Sequence, residues 1–189
     1  MDAVARAFVA IPRVGFLPRR DRRRASYDGP IAIGYGQTNS QPRTVADMLR
    51  LLAVRPGDRV LDVGSGSGWT TALLAHLVGP AGSVLGLELE PELVEWGSAN
   101  LAATGQPWAS IERAVPGLLG RPDAAPYRRI LVSAEALALP EELALQLADD
   151  PDDPGRMVIP VAGEMLLVVR RGAELDITSH GRYRFVPLR

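Results

Sequence analysis

The chain has 189 residues, 47% of them apolar and 23% charged, with a net charge of −1. Those proportions belong to a globular domain able to bury a core without covalent staples. The absence of cysteine excludes disulfides, thiolate metal sites and cysteine nucleophiles, and the near-neutral balance supplies no global field to attract nucleic acid.

The two histidines, His76 and His180, have no metal-ligand spacing, so no metal is expected. No apolar run approaches the ~20 residues of a membrane span, and the first residues lack the long apolar stretch of a secretion signal. A cytoplasmic protein, monomeric and without membrane or nucleic-acid partners, is the expectation.

Residues 3–11 are alanine-rich and suit a short helix. Residues 12–42 are rich in Pro, Gly, Arg and Gln and read as a long irregular segment, a kind that is usually functional or mobile. Its basic run, Arg19 to Arg24, reads as a solvated loop, with attraction for acidic peptides as the sharper alternative. Val45, Met48, Leu49 and Leu52 give helical spacing over 43–53.

From there strands and helices alternate. Strands are expected at 59–63, 83–88, 109–113 and 129–133, and helices at 69–78, 91–103 and 140–147. Met157–Val161 and Met165–Val169 read as strands around a turn, and 183–188 as a last strand. This order predicts an α/β fold: a doubly wound, Rossmann-like, mostly parallel sheet with helices on both faces and an antiparallel strand at one edge. With no internal repeat and no dividing linker, 1–189 is expected to form a single domain. Residues 1–42 would carry a helix and the active-site loop, and 43–189 the cofactor-binding core.

The sharpest local signal is Asp62-Val63-Gly64-Ser65-Gly66-Ser67-Gly68, between a strand and a helix. Glycines there let the backbone turn tightly and let a ligand approach it. A dinucleotide fingerprint would want its third glycine where Trp69 stands, and a phosphate loop would want a Lys that is absent. The next strand ends in Glu88, 20 residues after Gly68. A carboxylate there can accept both hydroxyls of a ribose, and Leu89 beside it can pack on a base.

The run Asp-x-Gly-x-Gly-x-Gly resembles the first motif of class I S-adenosylmethionine-dependent methyltransferases. The resemblance places Gly64, Ser65, Gly66 and Gly68 around the methionine part of the cofactor, with Asp62 facing its ammonium. Upstream, Gly34-Tyr35-Gly36-Gln37-Thr38-Asn39-Ser40-Gln41-Pro42 resembles the G-x-G-Q-T-x-S-Q-P signature of the protein-L-isoaspartate O-methyltransferases. Ile11 to Pro18, Tyr27-Asp28, Ala125-Pro126-Tyr127, Gly155 to Val161 and Phe185 to Leu188 extend the likeness over nearly the whole chain.

The resemblance implies Ser40 as the active-site residue, with Gln37, Thr38 and Asn39 lining the cofactor. Helix capping is the competing reading for Thr38 and Ser40. The implied reaction moves a methyl group from S-adenosylmethionine to the free carboxylate of an isoaspartyl residue, leaving S-adenosylhomocysteine and an ester that closes to a succinimide.

Three positions depart from the family pattern. Its Gly-Asp-Gly after the third strand, where the aspartate contacts the adenine amino group, reads Val115-Pro116-Gly117. Val115 and Pro116 are therefore expected beside the adenine, with cofactor binding weakened by about 1–3 kcal/mol. Tyr127 is followed by Arg128, and Glu135 is expected near the substrate, where it would repel a carboxylate. Two further readings stand beside general repair: a relative that methylates an aspartate of a dedicated, ribosomally made peptide, and a cofactor-binding protein with little catalysis.

Overall fold

The computed structural model covers residues 1–189. The chain opens with α1 (Ala3–Ala10), whose first turn is capped by Asp2 accepting the Ala5 N–H at 2.7 Å. Two short 3-10 turns, Arg13–Phe16 and Arg19–Arg24, lead to a small hairpin of β1 (Ile31–Gly34) and β2 (Gln37–Asn39). The segment expected to be irregular thus carries its own local structure. The Arg19–Arg24 turn has no buried residue, and Asp21 pairs there with Arg20 and Arg24. Next comes α2 (Pro42–Leu52), entered through a proline that suits a first helical position.

The remaining strands form one sheet. They are β3 (Arg59–Val63), β4 (Ser83–Glu88), β5 (Ala109–Arg113), β6 (Arg129–Val132), β7 (Arg156–Val161), β8 (Glu164–Arg171) and β9 (Glu174–Arg182). Their order is β5-β4-β3-β6-β7-β8-β9, parallel from β5 to β7 and antiparallel at β8 and β9. Between them run α3 (Trp69–Val78), α4 (Pro91–Ala102) and a single-turn α5 (Glu141–Ala144). Strand order reverses beside β3, with β4 on one side and β6 on the other, which opens a crevice at the carboxyl ends.

Side chains alternate across the sheet and sort the core into two layers. Val60, Val84, Leu131 and Val158 face the layer built by α1, α2, α3 and α4. Leu61, Leu87, Ile130, Met157 and Ile159 face the other, closed by Tyr127, Leu143 and Leu147. Because both faces are covered, these strands read in sequence as continuous apolar runs. Helices do lie on both faces, but unevenly: the second face has only the four residues of α5.

The last strand lies at Glu174–Arg182, not at 183–188. It is an edge strand, mostly exposed, and its only apolar alternation, Leu175 and Ile177, is too short to reveal its nine residues. The apolar residues after it serve packing instead of a ladder: Tyr183 and Phe185 lie against the first core layer. No helix is long and apolar enough to cross a membrane.

One close crossing fixes the crevice. A Cβ on Gly97 of α4 would stand 2.8 Å from Gly66 O, and a Cβ on Gly68 would stand 2.8 Å from Gly97 O. Both contacts are with backbone, which has little room to give. Gly97→Ala is expected to cost about 1–3 kcal/mol, lowering the melting temperature by roughly 2–12 °C, as thermal unfolding followed by circular dichroism would measure. An unchanged melting temperature would show that the crossing is loose.

Candidate active site

Val63 ends β3, and the chain then turns through Gly64, Gly66 and Gly68 with φ of 81°, 53° and 88°. The N–H groups of Gly64 and Ser65 donate to Leu87 O at 2.9 and 3.0 Å. Gly66 N–H donates to Glu88 Oε2 at 2.8 Å, while Glu88 Oε1 accepts from the N–H groups of Leu89 and Glu90 at 2.8 and 3.1 Å. Glu88 is thereby locked against the glycine turn before any ligand arrives. Of the roughly four acceptor sites on a carboxylate, about one is left open.

Above this turn lies a cleft lined by 25 residues. Gly64, Ser65, Gly66, Glu88, Leu89 and Val115 line it, as do Gln37, Thr38, Asn39 and Ser40. Sequence reasoning missed part of the wall: Ser133 and Ala134 beyond β6, and Val186, Leu188 and Arg189 from the terminal segment. Position after a parallel strand could have flagged Ser133; no local pattern marks the terminal residues as a wall.

Three expected site residues do not line the cleft. Gly68 instead sits under α4 at the glycine crossing. Asp62 is fully buried, its Oδ2 accepting the hydroxyls of Thr70 and Thr71 at 2.8 and 2.7 Å, and its Oδ1 has no partner. Pro116 is exposed and occupies a turn corner: the Leu118 N–H donates to Val115 O at 3.0 Å and Gly117 has a φ of 79°. Proline second and glycine third is the type II turn sequence, so Val115-Pro116-Gly117-Leu118 trades a polar contact for a rigid corner. Val115, Leu118 and Leu119 leave the cleft an apolar wall there.

Glu135 also differs from expectation. Its carboxylate accepts the Phe185 N–H at 3.2 Å, its own N–H donates to Val186 O at 2.7 Å, and its carbonyl accepts the Leu188 N–H at 2.8 Å. It straps the terminal segment to the end of β6 instead of facing a substrate. Arg189 closes the strap on Glu90 at 2.6 Å.

The loop carrying Ser40 is held by one buried guanidinium. Arg13, 5% exposed, donates through Nε to Asn39 Oδ1 at 2.7 Å and through Nη1 to Tyr27 O at 2.8 Å. Its Nη2 donates to the carbonyls of Gly29, Asn39 and Ser40, each at 2.9 Å. Burial pushes its pKa down to about 10, so it stays cationic at neutral pH. Asn39 Nδ2 donates in turn to Ser67 Oγ at 3.1 Å, joining the hairpin to the glycine turn. The amide of Asn39 is therefore committed to scaffolding.

Trp69 donates to Ile11 O at 3.1 Å, and its ring lies 5.2 Å from Phe8 and 5.6 Å from the Arg13 guanidinium. An indole at that position ties α1 to the site. The cap of α2 is Gln41, with no side-chain cap bond, so Ser40 is not spent on capping.

Ser40 stands at a junction. It lines the cleft and also an open groove, as do Thr38, Ser133 and Val186. Two cavities that meet at residues carrying free hydroxyls suit a reaction between two bound molecules.

The sheet order, the glycine turn closing the first parallel strand and the glutamate closing the next define the class I methyltransferase fold. The comparisons narrow this to one family. The family model of protein-L-isoaspartate(D-aspartate) O-methyltransferase matches residues 1–189, and the chain belongs to that family. It is 43% identical over 192 residues to a protein-L-isoaspartate O-methyltransferase of Methanopyrus kandleri, covering 99% of this chain and 83% of that one. A solved protein-L-isoaspartate O-methyltransferase superposes with a TM-score of 0.87 at 25% identity; it is longer, and this chain covers 61% of it. A Plasmodium falciparum structure described as a complex with S-adenosyl-L-homocysteine superposes with a TM-score of 0.84 at 25% identity, covering 100% of this chain and 91% of that one.

Two substitutions test the scaffold. Arg13→Ala strands several buried acceptors and is expected to cost about 3 kcal/mol, roughly 6–12 °C in melting temperature, with Arg13→Lys failing to restore it because an ammonium cannot fork.

Burial raises the Asp62 carboxyl to about 6, and the charge of Glu88 adds to the rise against the two threonine bonds. Folding then favours the protonated form. The cost of ionised Asp62 is absent below about pH 4 and fully present above about pH 6. In urea unfolding of the ligand-free protein, the stability gained by Asp62→Asn is expected to grow by up to about 3 kcal/mol from pH 4 to pH 7. A gain independent of pH would contradict the buried charge.

Proposed function

We propose that this chain uses S-adenosylmethionine to methylate the free carboxylate of L-isoaspartyl residues in damaged proteins or peptides. The carrying observation is Ser40, which lines both the glycine-turn cleft and the open groove and whose hydroxyl makes no hydrogen bond within the chain. Family membership over the full 189 residues supports the same reading.

The cleft fits the cofactor chemically. It offers no lysine and no phosphate cradle, and S-adenosylmethionine carries no phosphate. Glu88 would accept the ribose hydroxyls: one on its open acceptor site, the other by sharing the oxygen that now takes the Gly66 N–H. Leu89, Val115 and Leu118 would pack on the adenine. Asp62 lies behind the cleft wall, so its buried carboxylate would favour the methionine ammonium by its charge and not by direct contact. When bound, the cofactor supplies an electrophilic methyl group on a sulfonium.

The protein's own share is positioning. A carboxyl with a pKa of about 4 is already ionised at neutral pH, so no general base is required. That accords with a site lacking histidine, cysteine and lysine. Ser40 holds one carboxylate oxygen by donating its hydroxyl hydrogen, which leaves the other oxygen to take the methyl group. Holding both partners in line can contribute on the order of 7–11 kcal/mol. The apolar walls exclude water that would otherwise solvate the anion.

Pro116 prompted the non-catalytic reading, and its place in an exposed turn removes that motive. Labelled methyl transfer to an isoaspartyl peptide, beside its normal aspartyl twin, tests the proposal. Only the isoaspartyl form is expected to be methylated, and Ser40→Ala is expected to lower kcat by about 10- to 100-fold, the worth of one hydrogen bond to a charged group. Equal methylation of the twins, or full activity without the hydroxyl, would overturn it.

A further inference from the structure

The open groove beside Ser40 is unusually cationic for a chain of net charge −1. Arg43, Arg182 and Arg184 line it, against Asp47 as the one carboxylate. Asp47 is itself within 3.9 Å of Arg50, and Arg43 approaches Asp28 at 3.7 Å. Arg182 and Arg184 make no ion pair and no side-chain hydrogen bond within the chain. Their placement follows from their neighbours. Tyr183 and Phe185 pack against the core, which turns Arg184 between them and Arg182 before them outward, and both arginines are exposed. The strap anchored by Glu135 begins at Phe185 and fixes this stretch beside Ser133 and Ser40.

We infer that the groove selects peptides with an acidic residue close to the reacting isoaspartyl residue, through Arg182 and Arg184. This rests on the carboxyl methylation proposed above and adds a substrate preference to it. Extended peptide advances about 3.3 Å per residue, so a neighbouring Asp or Glu lies within the reach of a long arginine side chain. Guanidinium groups without partners lose no existing ion pair when a carboxylate arrives, and their planar fork matches it. Such exposed pairs are individually weak and screened by salt, so the preference is expected to be modest and sensitive to ionic strength.

The test uses three isoaspartyl peptides of one length, flanked by Glu, Ala or Lys, with methylation kinetics and fluorescence-anisotropy binding on the full chain. The Glu peptide is expected to show a KM about tenfold below that of the Lys peptide at low salt, with the difference shrinking to about twofold in 0.5 M NaCl. Arg182→Ala combined with Arg184→Ala is expected to bring the two values within about twofold, and Arg184→Glu to reverse their order. Equal KM values in the wild-type protein, or a preference that survives the double substitution, would overturn the inference while leaving methylation intact. Were no peptide methylated, the catalytic proposal would fail, and charge-dependent binding by anisotropy would still decide the groove: discrimination upholds it and its absence overturns it.

Discussion

The Arg13 guanidinium is the constraint on which the site depends. A buried cation is tolerated where hydrogen bonds replace its hydration. Arg13 makes five, to acceptors from two stretches of chain, residues 27–29 and 39–40. Satisfying the charge therefore fixes the path of the N-terminal segment. That path brings Ser40 to the crevice and commits Asn39 to the glycine turn through Ser67. The aromatic face of Trp69 completes the enclosure and links it to α1.

A second constraint acts below the cleft. The glycine turn is pinned to β4 by Glu88 and to α4 by backbone approaches that leave no space for a side chain. The floor of the cleft is thus rigid, made of main chain and one carboxylate. The walls are less regular: an apolar turn at 115–118 on one side and a terminal strap tied to Glu135 on the other. A rigid floor suits a cofactor that must present one atom in line. Walls drawn from loops leave room for chain-specific chemistry such as the arginines near the strap.

Much of this was legible in the sequence. The strand and helix order, the glycine turn and Glu88 could be read because each depends on local periodicity or on residue types with few other uses. The strap was misread as a strand, since Phe185 and Leu188 are apolar for packing and the backbone of this stretch makes three hydrogen bonds to Glu135 alone in place of a ladder. The true edge strand was invisible because an exposed β9 needs no apolar face. Pro116 and Glu135 were assigned to the pocket from alignment with a pattern, and both proved to shape backbone: one turns it, the other ties it.

By itself, then, the sequence determined the fold class, the glycine turn and the family, because those follow from periodicities and short runs that act over a few neighbouring residues. Only the tertiary structure decided which groups are free. Arg13, Asn39 and Glu135 are all polar and all near the site in sequence order or pattern, yet each is consumed by a partner distant along the chain, while Asp62 is enclosed beside its near neighbours Thr70 and Thr71. Ser40, Arg182 and Arg184 are left unspent. Long-range partners set that difference, and hydrogen-bond satisfaction across 26 or more residues leaves no mark on local composition.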